Sequence, residues 1–154
     1  MNIIRQFILA EVCCLAFFGT QAASGSGLFQ GNFTGTATGD LDTSAPLALN
    51  MTQDGSMVNG VAIVGDGIKV DTGGFICPGL VAVPAVKLNF KGNVSAQNPR
   101  HMEARSGLTV SGLTITADVQ TELSQDNSTI KLELKLNIPR PCRSTTLNAT
   151  LRRI

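Results

Sequence analysis

The chain contains one histidine, His101, inside the polar run Asn98-Pro99-Arg100-His101-Met102-Glu103. With Arg100 and Glu103 beside it, this run has the groups needed to bind an anion or to move a proton. Any Ser-His-Asp arrangement would have to use this imidazole. A solvated turn leading into a strand has the same composition, and that is the reading adopted. A second segment of this kind is Pro139-Arg140-Pro141-Cys142-Arg143. Its prolines stop strand pairing and present Arg140 and Arg143 beside a cysteine. A stiff loop is expected there, with a partner contact as the alternative. Of the four cysteines, Cys13 and Cys14 lie in an N-terminal apolar run, which leaves Cys77 and Cys142. An even pair in a chain bound for an oxidising compartment is expected to form one disulfide, two buried free thiols being the alternative. Two cysteines and a single histidine fall short of the four close ligands of a zinc site. The glycines lack the strand-to-helix context of a phosphate-cradling loop. No catalytic machinery, metal or cofactor is therefore expected.

The residue types that are missing narrow the function further. The chain has no Trp and no Tyr. Sugar and single-stranded nucleic-acid sites generally need exposed aromatic platforms. Past the N-terminal run only Phe29, Phe33, Phe75 and Phe90 remain, and alternation sends most of them inward. The formal net charge is +1, so no basic excess draws nucleic acid or an anionic membrane.

These residues are positioned by strands. In Leu113–Leu123, Leu113, Ile115, Ala117, Val119, Thr121 and Leu123 alternate with polar residues, and in Ile130–Ile138 Ile130, Leu132, Leu134, Leu136 and Ile138 do the same. Period-two alternation at this length means strands with one buried and one wet face. A tight turn at Asp126-Asn127 sets Leu123 opposite Ile130 and Val119 opposite Leu134. A second turn at Ser111-Gly112 sets Leu108 opposite Ile115 and Ala104 opposite Val119. On the wet face this register aligns Arg105, Asp118 and Lys135 in one row. Opposite charges directly across a ladder support it, and a one-residue slip would put the whole apolar set in water.

Residues 1–22 have the form of a secretory signal, with Arg5, an apolar run from Phe7 to Phe18 and a small-residue exit through Gly19, Thr20 and Ala22. Cleavage is expected after Ala22 or Ala23, giving a secreted or periplasmic protein. Residues 23–27 are a flexible lead-in, and 28–154 form a single domain of sufficient length for a real core. Six more strands are expected: Leu28–Thr38, Pro46–Gln53, Ser56–Val64, Ile68–Ile76, Ala85–Ser95 and Thr145–Arg153. A hairpin about Asp54-Gly55 joins the second and third of these, and Gly73-Gly74 marks a bend in the fourth. If Met102–Val110 counts as its own strand, the Cys77 and Cys142 loops fall at the same end of a meander. Without it they would lie tens of ångströms apart, too far for a disulfide. Asn-x-Ser/Thr sequons occur at Asn32, Asn50, Asn93, Asn127 and Asn148.

The fold expected is all-β, an antiparallel up-and-down meander of about eight or nine strands closing into a barrel, with a two-sheet sandwich as the alternative. An odd count would leave one strand short, split or outside the barrel. Gly31-x-Phe33-x-Gly35 on the first strand, followed by long hairpins, resembles the calycin barrels (lipocalins and avidins) and small secreted bacterial β-barrel proteins. The resemblance implies a barrel of the ligand-binding type. The function expected is a non-enzymatic binding module for a small apolar ligand, whose interior would need roughly 300 Å³ or more of free space to act as an ordinary ligand pocket. The alternative is a structural or adhesive surface module that pairs with a surface protein through an edge strand. An enzyme centred on His101 ranks last. Arg100, His101, Glu103, Arg140 and Arg143 are the candidate binding residues.

Overall fold

The computed structural model describes residues 27–73, 76–77, 79–110 and 113–154. The expected signal segment 1–22, most of the expected lead-in, Gly74, Phe75, Pro78 and the expected Ser111-Gly112 turn lie outside the described residues.

Among the described residues ten strands form: β1 (Gly31–Thr38), β2 (Ser44–Asp54), β3 (Met57–Val64), β4 (Lys69–Asp71), β5 (Leu80–Ala82), β6 (Val86–Val94), β7 (His101–Val110), β8 (Leu113–Leu123), β9 (Thr129–Asn137) and β10 (Thr145–Arg153). Eight of them close an antiparallel barrel in the order β1-β10-β9-β8-β7-β6-β3-β2, while β4 and β5 make a separate two-stranded ribbon. The fold is the closed barrel rather than the sandwich, because β1 pairs with β10 as well as β2 and leaves no free sheet edge at that join. The expected strand Ile68–Ile76 shortens to Lys69–Asp71 and leaves the barrel, pairing instead with Leu80–Ala82. Leu28–Gln30 precedes β1 as a turn, with Gln30 N–H donating to the Gly27 carbonyl.

The register follows the alternation. Leu123 faces Ile130, Val119 faces Leu134 and Ala104 faces Val119, and Arg105, Asp118 and Lys135 stand abreast on the outside. The turns differ by small steps. Asp54 pairs with Met57, so the first hairpin turns through Gly55-Ser56, with Gly55 at φ +58° supplying the left-handed backbone. The β8–β9 connection is wider than two residues: Asn127 N–H bonds Ser124 O, and Ser124 N–H bonds Thr129 O. Asn127 takes φ 59°, a conformation that its short amide side chain tolerates.

Both ends of the barrel are closed. At the base Phe29 and Phe33 are fully buried. The Arg153 guanidinium sits 4.4 Å above the Phe33 ring centre. It donates to the backbone carbonyls of Asn127 (2.9 Å), Leu28 (2.7 Å) and Gln30. At the opposite end Ile68 and Val70 are buried in the core, and Val81 and Val83 pack against it, so the β4–β5 ribbon forms a lid. The lid is tied down by the Cys77–Cys142 disulfide, with a Cα–Cα distance of 5.6 Å. Asp40 Oδ2 accepts from Asp71 N–H (2.7 Å) and the Thr145 hydroxyl (2.8 Å), and Arg143 N–H reaches Thr72 O (2.8 Å).

Candidate functional site

The expected site residues do not converge. Arg100, His101 and Glu103 are at the base, whereas Arg140 and Arg143 are on the β9–β10 loop at the lid end. A nine-residue strand separates the two groups, roughly 25 Å or more. Arg100 serves the structure: its guanidinium binds Ser124 O and Asn127 Oδ1 (2.7 Å), tying the β6–β7 loop to the β8–β9 loop. His101 Nε2 lies 3.5 Å from Glu103 Oε1, with Glu103 pointing into solvent. Arg140 and Arg143 are exposed beside the disulfide.

The concavity with the clearest chemistry is the barrel interior. Inward positions are set by alternation, and toward the base they pack tightly: Met51, Val58, Met102, Leu123, Ile130 and Leu151 are all buried. Toward the lid the inner wall is less completely filled. Ala62, Val64, Leu88, Phe90, Val119 and Leu134 are only half-buried, and they line an apolar cavity of about 70 Å³. Small side chains on this wall, Ala37, Ala62 and Ala117, leave the space that leucines elsewhere take up. The barrel is therefore mostly filled, well below the 300 Å³ of an ordinary ligand pocket, and its free volume is about half that of an engineered 150 Å³ cavity that takes benzene.

Two hydroxyls face this wall. Thr121 is buried and donates to Met102 O (3.2 Å). Ser106 donates to Asn89 O (3.3 Å), from β7 across to β6. That bond lies where the wall is thinnest. The β6–β7 ladder covers only Lys91–Val94 with Met102–Arg105, four pairs, against ten between β7 and β8. Its last pair sets Lys91 opposite Arg105, two cations that give each other no attraction. Beyond it the bulky Phe90 would have to face Ser106. The two strands separate there, and Phe90 and Ser106 line both the interior cavity and an outer groove across β2, β3, β6 and β7. Gly60 makes room for the Phe90 ring, since a Cβ at Gly60 would overlap it.

On the outer face charges are paired but not focused. Arg105 Nε lies 2.6 Å from Asp118 Oδ1, and Asn137 Nδ2 lies 2.7 Å from Asp118 Oδ2. The Arg105 hydrogen bond first, then that of Asn137, holds the Asp118 carboxyl below its usual range. Asp126 is lowered to about 2 by bonds from the Ser124 and Ser128 hydroxyls and the Ser128 amide. The first of these groups supports the ladder and the second supports a turn.

Reasoning from the sequence missed Arg153, Phe90 and Ser106. The signal for Arg153 was a lone cation at an inward position of the last strand. Phe90 and Ser106 gave none, because a strand that parts from its neighbour alternates like one that does not.

No family model matches this chain, and no curated protein matches it. Among the solved structures similar to it in fold are two that cover most of this chain. One is described as EF1p2_mFAP2b bound to DFHBI: it is 14% identical, with 82% of this chain and 94% of that chain covered and a TM-score of 0.53. The other, a redesigned β-barrel named b11L5F_LGL, is 16% identical, with 82% and 92% covered and a TM-score of 0.53. At these identities the likeness is one of architecture. It supports the barrel and does not establish membership of the calycins.

Proposed function

We propose that this chain is an exported, non-enzymatic barrel that holds a small, uncharged, apolar molecule inside. The observation that supports this reading is the half-filled inner wall near the lid, an apolar cavity in a protein whose base is otherwise tightly packed. A cavity lined almost wholly by aliphatic groups favours apolar ligands and penalises charge, because an ion there would lose its hydration without a partner. The free space of about 70 Å³ sets the size at a few non-hydrogen atoms unless the wall yields. A similar barrel bound to DFHBI agrees with the idea that this architecture can accept a small molecule.

Export rests on the signal-like N-terminus together with the disulfide, a bond suited to an oxidising compartment. The wet faces of β8 and β9 carry Asp118, Gln120, Glu122, Lys131, Glu133 and Lys135, the reverse of the apolar band a membrane barrel turns to lipid. Edge pairing with a surface protein has less support, since closure leaves few free strand edges.

The test is titration with uncharged apolar molecules of increasing size, read from methyl NMR shifts of Leu47, Leu88, Val119 and Leu134. Saturable shifts confined to these inner-wall methyls are expected, and His101→Ala should bind identically. If no molecule in the series moves them, the binding role is wrong.

A further inference from the structure

We infer that the interior is reached from the side, through the parted β6–β7 seam, with Phe90 as the plug and the Ser106–Asn89 bond as the latch. The inference deepens the binding role proposed above and rests on it for the identity of what passes through.

Three observations meet here. First, the ends offer no route among the described residues. Phe29, Phe33 and the Arg153 clamp fill the base, and the lid inserts Ile68 into the core while a disulfide and the Asp40 bonds hold it in place. Moving the lid would break several of these together. Second, the seam is the weakest join in the barrel wall, with four pairs where the other joins have six to ten. Its ladder stops at Lys91 and Arg105, where Arg105 is engaged by Asp118 and the two cations give each other no attraction that would extend the pairing. Third, Phe90 and Ser106 line both the cavity and the outer groove. They are the two described residues common to both linings, and Ser106 carries the 3.3 Å hydrogen bond that links β7 to β6 there. An aromatic ring turning about χ1 and a single bond opening are small motions, compared with lifting a stapled lid. The species admitted is an uncharged apolar molecule, because the passage leads from a groove flanked by Lys91 and Arg105 into an aliphatic chamber with no counter-charge.

Xenon is the probe, since a single apolar atom tests the route without assuming the natural ligand. Its exchange with the cavity is followed by line shapes of the inner-wall methyls. Asn89→Cys/Gly107→Cys is bridged by a short bifunctional thiol reagent, with each capped single-cysteine variant as control. Bridging is expected to slow exchange at least tenfold while leaving the equilibrium shift unchanged. Ser106→Ala should speed exchange several-fold, and Lys91→Glu, which gives the last pair an attraction, should slow it. An unchanged rate in the bridged protein overturns the side route, as does exchange that responds to disulfide reduction and not to the bridge. Failure of xenon to enter the wild-type barrel overturns it too. Xenon passing through the seam while no larger apolar molecule is retained would leave the portal standing and remove the binding role.

Discussion

Arg153 shows how one side chain can secure a barrel's closure. It comes from the last strand, stacks on a phenylalanine of the first, and satisfies carbonyls of the N-terminal turn and of the β8–β9 loop. Removing it strands these acceptors in a half-buried place and exposes the Phe33 ring. Arg153→Ala should cost about 3 kcal/mol, measured by urea unfolding, and Arg153→Lys should recover only part, because an ammonium cannot reach several acceptors in one plane. Gly35 is a second point of this kind: a Cβ there would overlap the Thr150 carbonyl oxygen. Gly35→Ala must push β1 off β10, and about 1–3 kcal/mol of lost stability is expected in the same assay. Asp126 predicts a pH effect. Its folded pKa of about 2 lies below the ordinary 3.8, so the ionised form is favoured by folding. Its contribution is present in full above about pH 4 and disappears as pH falls through 2. The stability gap between the protein and Asp126→Asn should close over that interval, read by denaturant titrations at successive pH values.

Among the elements, the β4–β5 ribbon departs most from a simple meander. It interrupts the β3–β6 connection, covers one end and is stapled to the β9–β10 loop. The disulfide joins residues 65 apart in sequence. Closing a loop of that length removes enough unfolded-state entropy for about 4 kcal/mol. Cys77→Ala/Cys142→Ala should therefore lose stability on that scale, with the amides of Lys69–Asp71 losing their exchange protection before those of the barrel. The β8–β9 hairpin behaves differently. Its register is held by the alternation and by the Asp126 loop, and it should survive the loss of the lid.

At the scale of the whole molecule, the barrel is uneven around its circumference. The β7–β8 join is long and the β6–β7 join short, so opening should be local. Hydrogen exchange should find the amides of Val86–Phe90 that point toward β7 among the least protected in the barrel wall, and those of Ala117–Leu123 among the most. Equal protection along both joins would argue against a weak seam. This unevenness also explains why a mostly filled interior is compatible with binding: a wall that can part on one side need not keep a large empty chamber.

The eight barrel strands, their inward faces, the Arg105–Asp118–Lys135 row and the pairing of Cys77 with Cys142 were legible in the chain alone, while the lid strand Leu80–Ala82 was not. Each follows from period-two alternation and from counting strands between neighbours in sequence, which is local information. Closure of β1 on β10, removal of the Ile68–Ile76 segment to the lid, the stacking of Arg153 on Phe33 and the parting of β6 from β7 depend on segments far apart in the chain. So does the size of the cavity, because the same aliphatic residues face inward whether a barrel is packed or hollow, and only its curvature and side-chain filling distinguish the two. The polar run around His101 and the Arg140–Arg143 loop were two separate candidate segments in the sequence, whose relative placement it left open. The meander sends them to opposite ends, and the strand length between them keeps them apart.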